Sequence, residues 1–179
     1  MDRHGFLGPR SFVEGLAATP DLGRGVEIVP PGRAPSPDTE IVIVKSAGRI
    51  MDVTVRGLSA TSEKRAEVRR VLERLPQISR VLDTADLKAL RAGDKLGDFV
   101  VEAREPWGFG LAEPAEGASR GGHGSTLEMR VPLLISGSGV RTGAVPKDAR
   151  LVDVAPTIAA LLGVRPPADA QGRVLDELL

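Results

Sequence analysis

Residues 41–55 read IVIVKSAGRIMDVTV. The run Ile41-Val42-Ile43-Val44 is β-branched throughout and favours extended backbone. Ser46 to Arg49 then supply a turn, with Gly48 at its centre. Beyond it, Met51, Val53 and Val55 alternate with Asp52, Thr54 and Arg56, the period-two pattern of a half-buried strand. The stretch is predicted to be an antiparallel hairpin.

Working outward, the period changes. Val68, Val71, Leu72 and Leu75 fall at i, i+3, i+4 and i+7, which predicts an amphipathic helix over residues 63–75, stopped by Pro76. Residues 78–82 read as a short strand. Asp83 or Thr84 caps a short helix through Leu90. Gly93 and Gly97 bracket a turn, and Phe99-Val100-Val101 opens another strand. Residues 38–96 therefore form a small mixed α/β module. Before it, residues 1–37 are weakly patterned and rich in Gly and Pro, with a short helix expected around Phe12–Ala18. After it, residues 104–128 show no periodicity, and a loop of that length is often functional. Val131–Ile135 is a continuous apolar run that fits a buried strand. Val154–Leu162 is predicted to be helical, with Asp153 placed to cap it, Pro156 tolerated in its first turn and Gly163 at its end. The last residues, 174–179, are expected to dock on the core.

Composition bounds the chemistry. The chain has 179 residues, no cysteine and two histidines, His4 and His123. Disulfides, cysteine nucleophiles and Cys-ligated metal sites are excluded, and three histidines cannot converge within one chain. Lys and Arg number 24, as do Asp and Glu, so there is no basic excess of the kind a nucleic-acid surface needs. No run approaches the eighteen apolar residues of a membrane span, and the first residues, MDRHGFLGPR, lack the apolar core of a signal peptide. A cytoplasmic location is the default expectation.

One segment concentrates chemical interest: Gly121-Gly122-His123-Gly124-Ser125. Glycines on both sides of a histidine let the backbone approach a ligand closely. Two readings stand, a metal ligand and an exposed loop histidine bonded to its neighbours. One imidazole does not complete a zinc site, which takes three or four protein ligands. Ser125 and Thr126 have no nearby base except His123, and no Gly-x-Ser-x-Gly elbow occurs. Asp94 and Asp98 read as solvated turn residues. Trp107 and Phe109 read as apolar anchors for the long loop, with substrate lining as the other possibility.

Taken in order, Gly97-Asp98-Phe99-Val100-Val101, Trp107-Gly108-Phe109, Gly122-His123-Gly124-Ser125, Arg130-Val131-Pro132-Leu133-Leu134-Ile135-Ser136-Gly137 and Asp153-Val154-Ala155-Pro156-Thr157-Ile158 resemble the C-terminal part of the alkaline phosphatase superfamily. The nearest branch is the type I phosphodiesterase/nucleotide pyrophosphatase family. The resemblance covers residues 97–175. It implies an α/β fold in which residues 97–179 are the C-terminal portion of an alkaline-phosphatase-like sheet-and-helix domain and residues 38–96 are a small insert module.

The resemblance also implies a chemistry. Such enzymes hydrolyse phosphate esters with two divalent metal ions, commonly zinc. A metal-activated Thr or Ser attacks phosphorus. His123 matches the last metal-binding histidine, while Asp153 and Thr157 match a structural motif at the start of the final helix. The family's nucleophile, first metal-binding Asp and upstream Asp-His pair have no counterpart here. Asp2-Arg3-His4-Gly5 is similar to the family's contiguous Asp-His-Gly, interrupted by Arg3. The expectation is a partial phosphoric ester hydrolase, inactive alone, whose phosphate-ester substrate and remaining ligands belong to a missing N-terminal half or a complementing chain. The alternative is a non-catalytic binding or structural module of the same descent.

Overall fold

The computed structural model describes residues 15–16, 19, 22, 25–30, 32–105, 107–109 and 123–179. The chain divides after Arg130 into two compact units.

The first unit is built on a five-stranded sheet of β1 (Val26–Val29), β2 (Ile41–Ala47), β3 (Ile50–Val55), β4 (Ile78–Asp83) and β5 (Phe99–Ala103). The order across the sheet is β1-β2-β3-β5-β4. β1 is parallel to β2 and every other neighbouring pair is antiparallel. The predicted hairpin is β2–β3, with Ile41 opposite Val55 and Ile43 opposite Val53 across the Gly48–Arg49 turn.

Two strands depart from the sequence reading. β1 falls within the segment read as weakly patterned. Its four residues, between Gly25 and Pro30, are too few to show an alternation. Glu27 of β1 ties the following loop, accepting from Ser36 N at 2.8 Å and Thr39 Oγ1 at 2.6 Å. These bonds, the Thr39 hydroxyl first, hold its carboxyl below the ordinary range. β5 was grouped by sequence with the C-terminal part, but it lies inside the sheet, between β3 and β4. All five of its residues are buried, as a strand flanked on both sides and covered on both faces requires.

Two helices flank the sheet. In α1 (Ser62–Arg74), Val68, Val71 and Leu72 are buried, and Thr61 caps the N-terminus by accepting from Lys64 N. The residues that face the core are those the 3.6-residue period predicts. In α2 (Thr84–Ala89), Asp83 caps as expected, accepting from the Ala85 and Asp86 amides, while the Asp86 carboxylate accepts from the Asp83 amide. The Asp86 amide first, with help from Arg69 at 2.6 Å, keeps the Asp83 carboxyl below its ordinary value although burial opposes this.

The main core joins Ile41, Ile43, Met51, Val53, Val101, Val68 and Leu72, all fully buried. Each contributes about 1.5–3 kcal/mol relative to exposure. Gly15 and Leu16 are helical and Leu16 is buried; the rest of the helix expected over 12–18 lies outside the described residues. Asp98, read as solvated, is an anchor. It accepts from Val55 N and from Arg65 Nε, both at 2.7 Å, and so ties β3, α1 and the start of β5 together. Gly97 beside it permits close approach, since a Cβ there would sit 2.6 Å from Val53 O.

The second unit, Val131–Leu179, holds α3 (Val154–Leu161) and two 3-10 turns, Leu151–Asp153 and Asp176–Leu178. It contains no strand. The expected buried strand Val131–Ile135 is irregular, exposed from Val131 to Leu134 (Leu134 at 93%) and half-buried only at Ile135. An apolar run becomes a buried strand only where neighbouring strands pair with it, and no described strand does. The sheet expected of residues 97–179 is thus reduced to β5, which belongs to the first unit. α3 begins and ends as predicted, with Pro156 in its first turn and Gly163 at positive φ after its end. Asp153 does not cap it through its side chain. Its carboxylate, 1% exposed, instead accepts from Arg150 N at 2.8 Å and Arg173 N at 2.9 Å. Thr157, fully buried, donates to Asp153 O and accepts from Leu175 N. These two residues are the clasp between α3 and residues 173–175, the structural role their motif implied. Leu175 and Leu178 are buried within the second unit, and neither belongs to the core of the sheet on which the chain end was expected to dock.

Candidate functional site

The Gly48–Arg49 turn between β2 and β3 organises the region around His123. Phe109 N donates to Gly48 O at 2.6 Å, and Arg49 N donates to His123 O at 3.0 Å. The chain therefore departs at Phe109 and is held again at His123 by adjacent residues of one turn. Phe109 is fully buried in the main core and Trp107 packs against it, so both are anchors.

His123 is exposed. The residues that follow it are not loose. Gly124, at φ +99°, turns the chain in a conformation that favours glycine. Ser125 and Glu128 then form a capping box around the 3-10 turn Thr126–Met129. Ser125 is buried, and its Oγ accepts from Leu127 N at 3.1 Å. That places the hydroxyl as a cap. Glu128 Oε2 accepts from Gly124 N at 2.7 Å. Burial alone would raise the Glu128 carboxyl, but the Gly124 and Ser125 amides together with Arg49 outweigh it and leave the group below its ordinary value.

Two buried charged residues, one in β5 and one in the β2–β3 turn, reach this segment. Glu102 of β5 is 1% exposed. Its Oε1 accepts from Thr126 N at 2.7 Å and its Oε2 from Thr126 Oγ1 at 3.1 Å. Arg80 of β4 adds a 2.8 Å bond to the same hydroxyl. Arg49 donates from one terminal nitrogen to Glu105 at 3.1 Å and Glu128 at 3.3 Å, and from the other to Ala103 O at 3.1 Å. Its buried Nε has no hydrogen-bond partner among the described residues.

Of the residues singled out by sequence, the structure places His123, Ser125 and Thr126 on one clamped segment. Asp153 and Thr157 serve the second unit. Asp2 and His4 lie outside the described residues. Sequence reasoning missed Arg49, Glu102 and Glu128. Glu128 had a signal, the Ser-x-x-Glu spacing from Ser125. Glu102 had a weaker one, a lone acid in an otherwise apolar strand. Arg49 had none, because only the register of the sheet brings it there.

Among the described residues, no group of three or more His, Cys, Asp or Glu side chains converges to hold a metal ion. A zinc ion takes three or four protein ligands. The described donors thus do not complete such a site, and no catalytic step is assigned to them. No helix among the described residues is long and apolar enough to cross a membrane.

The comparisons with known proteins agree with a partial relationship. Over 52 residues the chain is 36% identical to alkaline phosphatase PhoV of Synechococcus elongatus. The chain bears a partial homology to this alkaline phosphatase. The match covers 29% of this chain and 10% of PhoV, so the chain spans about a tenth of the length of the curated relative it matches. No protein-family model matches the chain. No solved structure matches it either.

Proposed function

We propose that this chain is part of a metal-dependent phosphoric ester hydrolase similar to the type I phosphodiesterase/nucleotide pyrophosphatase family, with His123 as one metal ligand. The observation that carries this reading is the identity to alkaline phosphatase PhoV. It is supported by an exposed histidine on a segment whose neighbours are fixed by Glu102, Glu128 and Arg49. In such a site His123 would hold one divalent ion, which would supply charge neutralisation at the phosphoryl oxygens and acidify a hydroxyl nucleophile. This chain's share is to present one imidazole. The nucleophile and the remaining ligands come from polypeptide outside the described residues or from a complementing chain.

The test is hydrolysis of bis-p-nitrophenyl phosphate with Zn²⁺. The chain alone is expected to give no turnover. Joined to a nucleophile-bearing segment encoded directly upstream in any frame, it is expected to give turnover that His123→Ala abolishes. Turnover by the chain alone that depends on His123 would show the site to be complete here. Turnover indifferent to His123→Ala would remove His123 from the site.

A second reading is a non-catalytic binding or structural module of the same descent. One observation favours it: the sheet unit already encloses a core of its own. Clean intergenic DNA upstream, with its own start signals, is the finding that would prefer it.

A further inference from the structure

We infer that Arg49 and Glu102 are positioning residues for His123, holding the segment that carries the imidazole at the β2–β3 turn. Three successive attachments bracket that segment. The His123 carbonyl is bonded to the Arg49 amide. The Gly124 amide is bonded to Glu128, which the Arg49 guanidinium holds in turn. The Thr126 amide and hydroxyl are bonded to the two oxygens of Glu102. The chemistry of Glu102 is the telling part. A carboxylate 1% exposed inside a five-residue buried strand is a costly choice where an apolar residue would pack as well. Both of its described bonds go to the 3-10 turn that follows His123. Arg49 is likewise 9% exposed, and its guanidinium bridges the end of β5 at Ala103 to Glu128. Neither arrangement is needed to complete the sheet, whose strands pair through their own backbone. What they fix is where the residues beside the imidazole sit.

This inference rests on the metal-ligand reading only for its purpose. The positioning itself is read without metal, so its failure and that of the hydrolysis assay are separate events. The experiment uses the full chain carrying His4→Gln, which leaves His123 as the single histidine. The imidazole C–H signal of His123 and the amide order parameters of Gly124, Ser125 and Thr126 are recorded by NMR. The methyl signals of Val53 and Val101 monitor the sheet. In the parent chain the three amides are expected in the rigid range, about 0.85. Glu102→Ala and Arg49→Ala are expected to lower them below about 0.6 and to bring the His123 signal to the position of an unstructured histidine, with the sheet signals unmoved. Glu102→Gln, which keeps an oxygen for the Thr126 amide, is expected to restore most of the order.

Should Glu102→Ala fail to fold, Thr126→Val removes the hydroxyl contact to Glu102, though not the amide bond, and Glu128→Ala removes the contacts to Gly124 and Arg49 from the loop side. Each is expected to loosen the amides and leave the sheet intact. Rigid amides in the folded variants would overturn the inference. So would sheet and segment loosening together, since that is the mark of a merely structural role.

Discussion

Among the described residues up to Arg130, 21 hydrophobic side chains are buried and four large ones exposed; from Val131 to Leu179, three are buried and nine exposed. The two regions solve the same problem with different means. The sheet unit excludes water by packing α1 and α2 on strands of alternating or continuous apolar pattern. The C-terminal unit is held by polar clasps. Asp153 bridges the Arg150 and Arg173 amides, Thr157 bridges Asp153 and Leu175, and Arg141 reaches the Glu177 and Leu179 carbonyls. Beside them, an open groove of about 300 Å³ is lined by Leu133, Leu134, Ile135, Val140 and Leu178 among others. Hydrogen bonds net only about 0.5–1.5 kcal/mol each, whereas a segment of this size without a core stays marginal. A well-ordered shape is therefore no proof of independent stability.

The largest expected effect follows from separating the two. A chain ending at Arg130 is expected to unfold cooperatively by calorimetry, and the peptide 131–179 to show no transition. A sharp transition in that peptide would break the comparison outright. Next in size, Met51→Ala is expected to cost about 2–5 kcal/mol in urea denaturation, because a fully buried side chain leaves a cavity. Leu134→Ala is expected to change stability by less than about 0.5 kcal/mol, as at any open surface position. Equal costs would mean that Leu134 is covered in solution.

Gly97→Ala sharpens the same contrast within the sheet unit. Its new methyl meets the backbone of Val53, and about 1–3 kcal/mol of destabilisation is expected by the same denaturation.

The smallest effect concerns pH. Hydrogen bonding from Arg173, at 2.8 Å, is the leading reason that the Glu177 carboxyl is held at about 2, against an ordinary 4.5. A depressed folded value means that the stabilisation is present above pH 4.5 and is lost as pH falls from there toward 2. Both partners are well exposed, so the effect is small and salt-sensitive. NMR titration is expected to show Glu177 protonating near the low value, with added salt moving it upward. Protonation at the ordinary value would show that the clasp does not persist in solution.

What could be read in advance follows the range of the interactions. The β2–β3 hairpin, α1, the Asp83 cap and the ends of α3 depend on neighbours within a few residues, and their patterns are visible at Ile41–Val55, Val68–Leu75 and Pro156–Gly163. The placement of β5 beside β3 is long-range. Nothing in Phe99–Ala103 itself tells whether it pairs with the hairpin before it or with strands after it. Val131–Ile135 misled for a related reason, since an apolar run reports a wish for cover and says nothing about where cover comes from. At the candidate site, the glycines flanking His123 marked the place. The residues that hold that place, Arg49 and Glu102, arrive from 74 and 21 positions upstream in the chain and only the sheet register unites them.

The paired attachments at Gly48 and Arg49 have an engineering consequence. Because the chain is moored at Phe109 and again at His123 by adjacent residues, the two ends of the stretch between those moorings meet at one turn. Lengthening a flexible chain between two fixed ends costs only about 0.6 kcal/mol per doubling. Foreign peptide spliced between Phe109 and His123 would start and finish at the same two moorings. What surrounds the histidine and what holds it are thus set by different parts of the sequence.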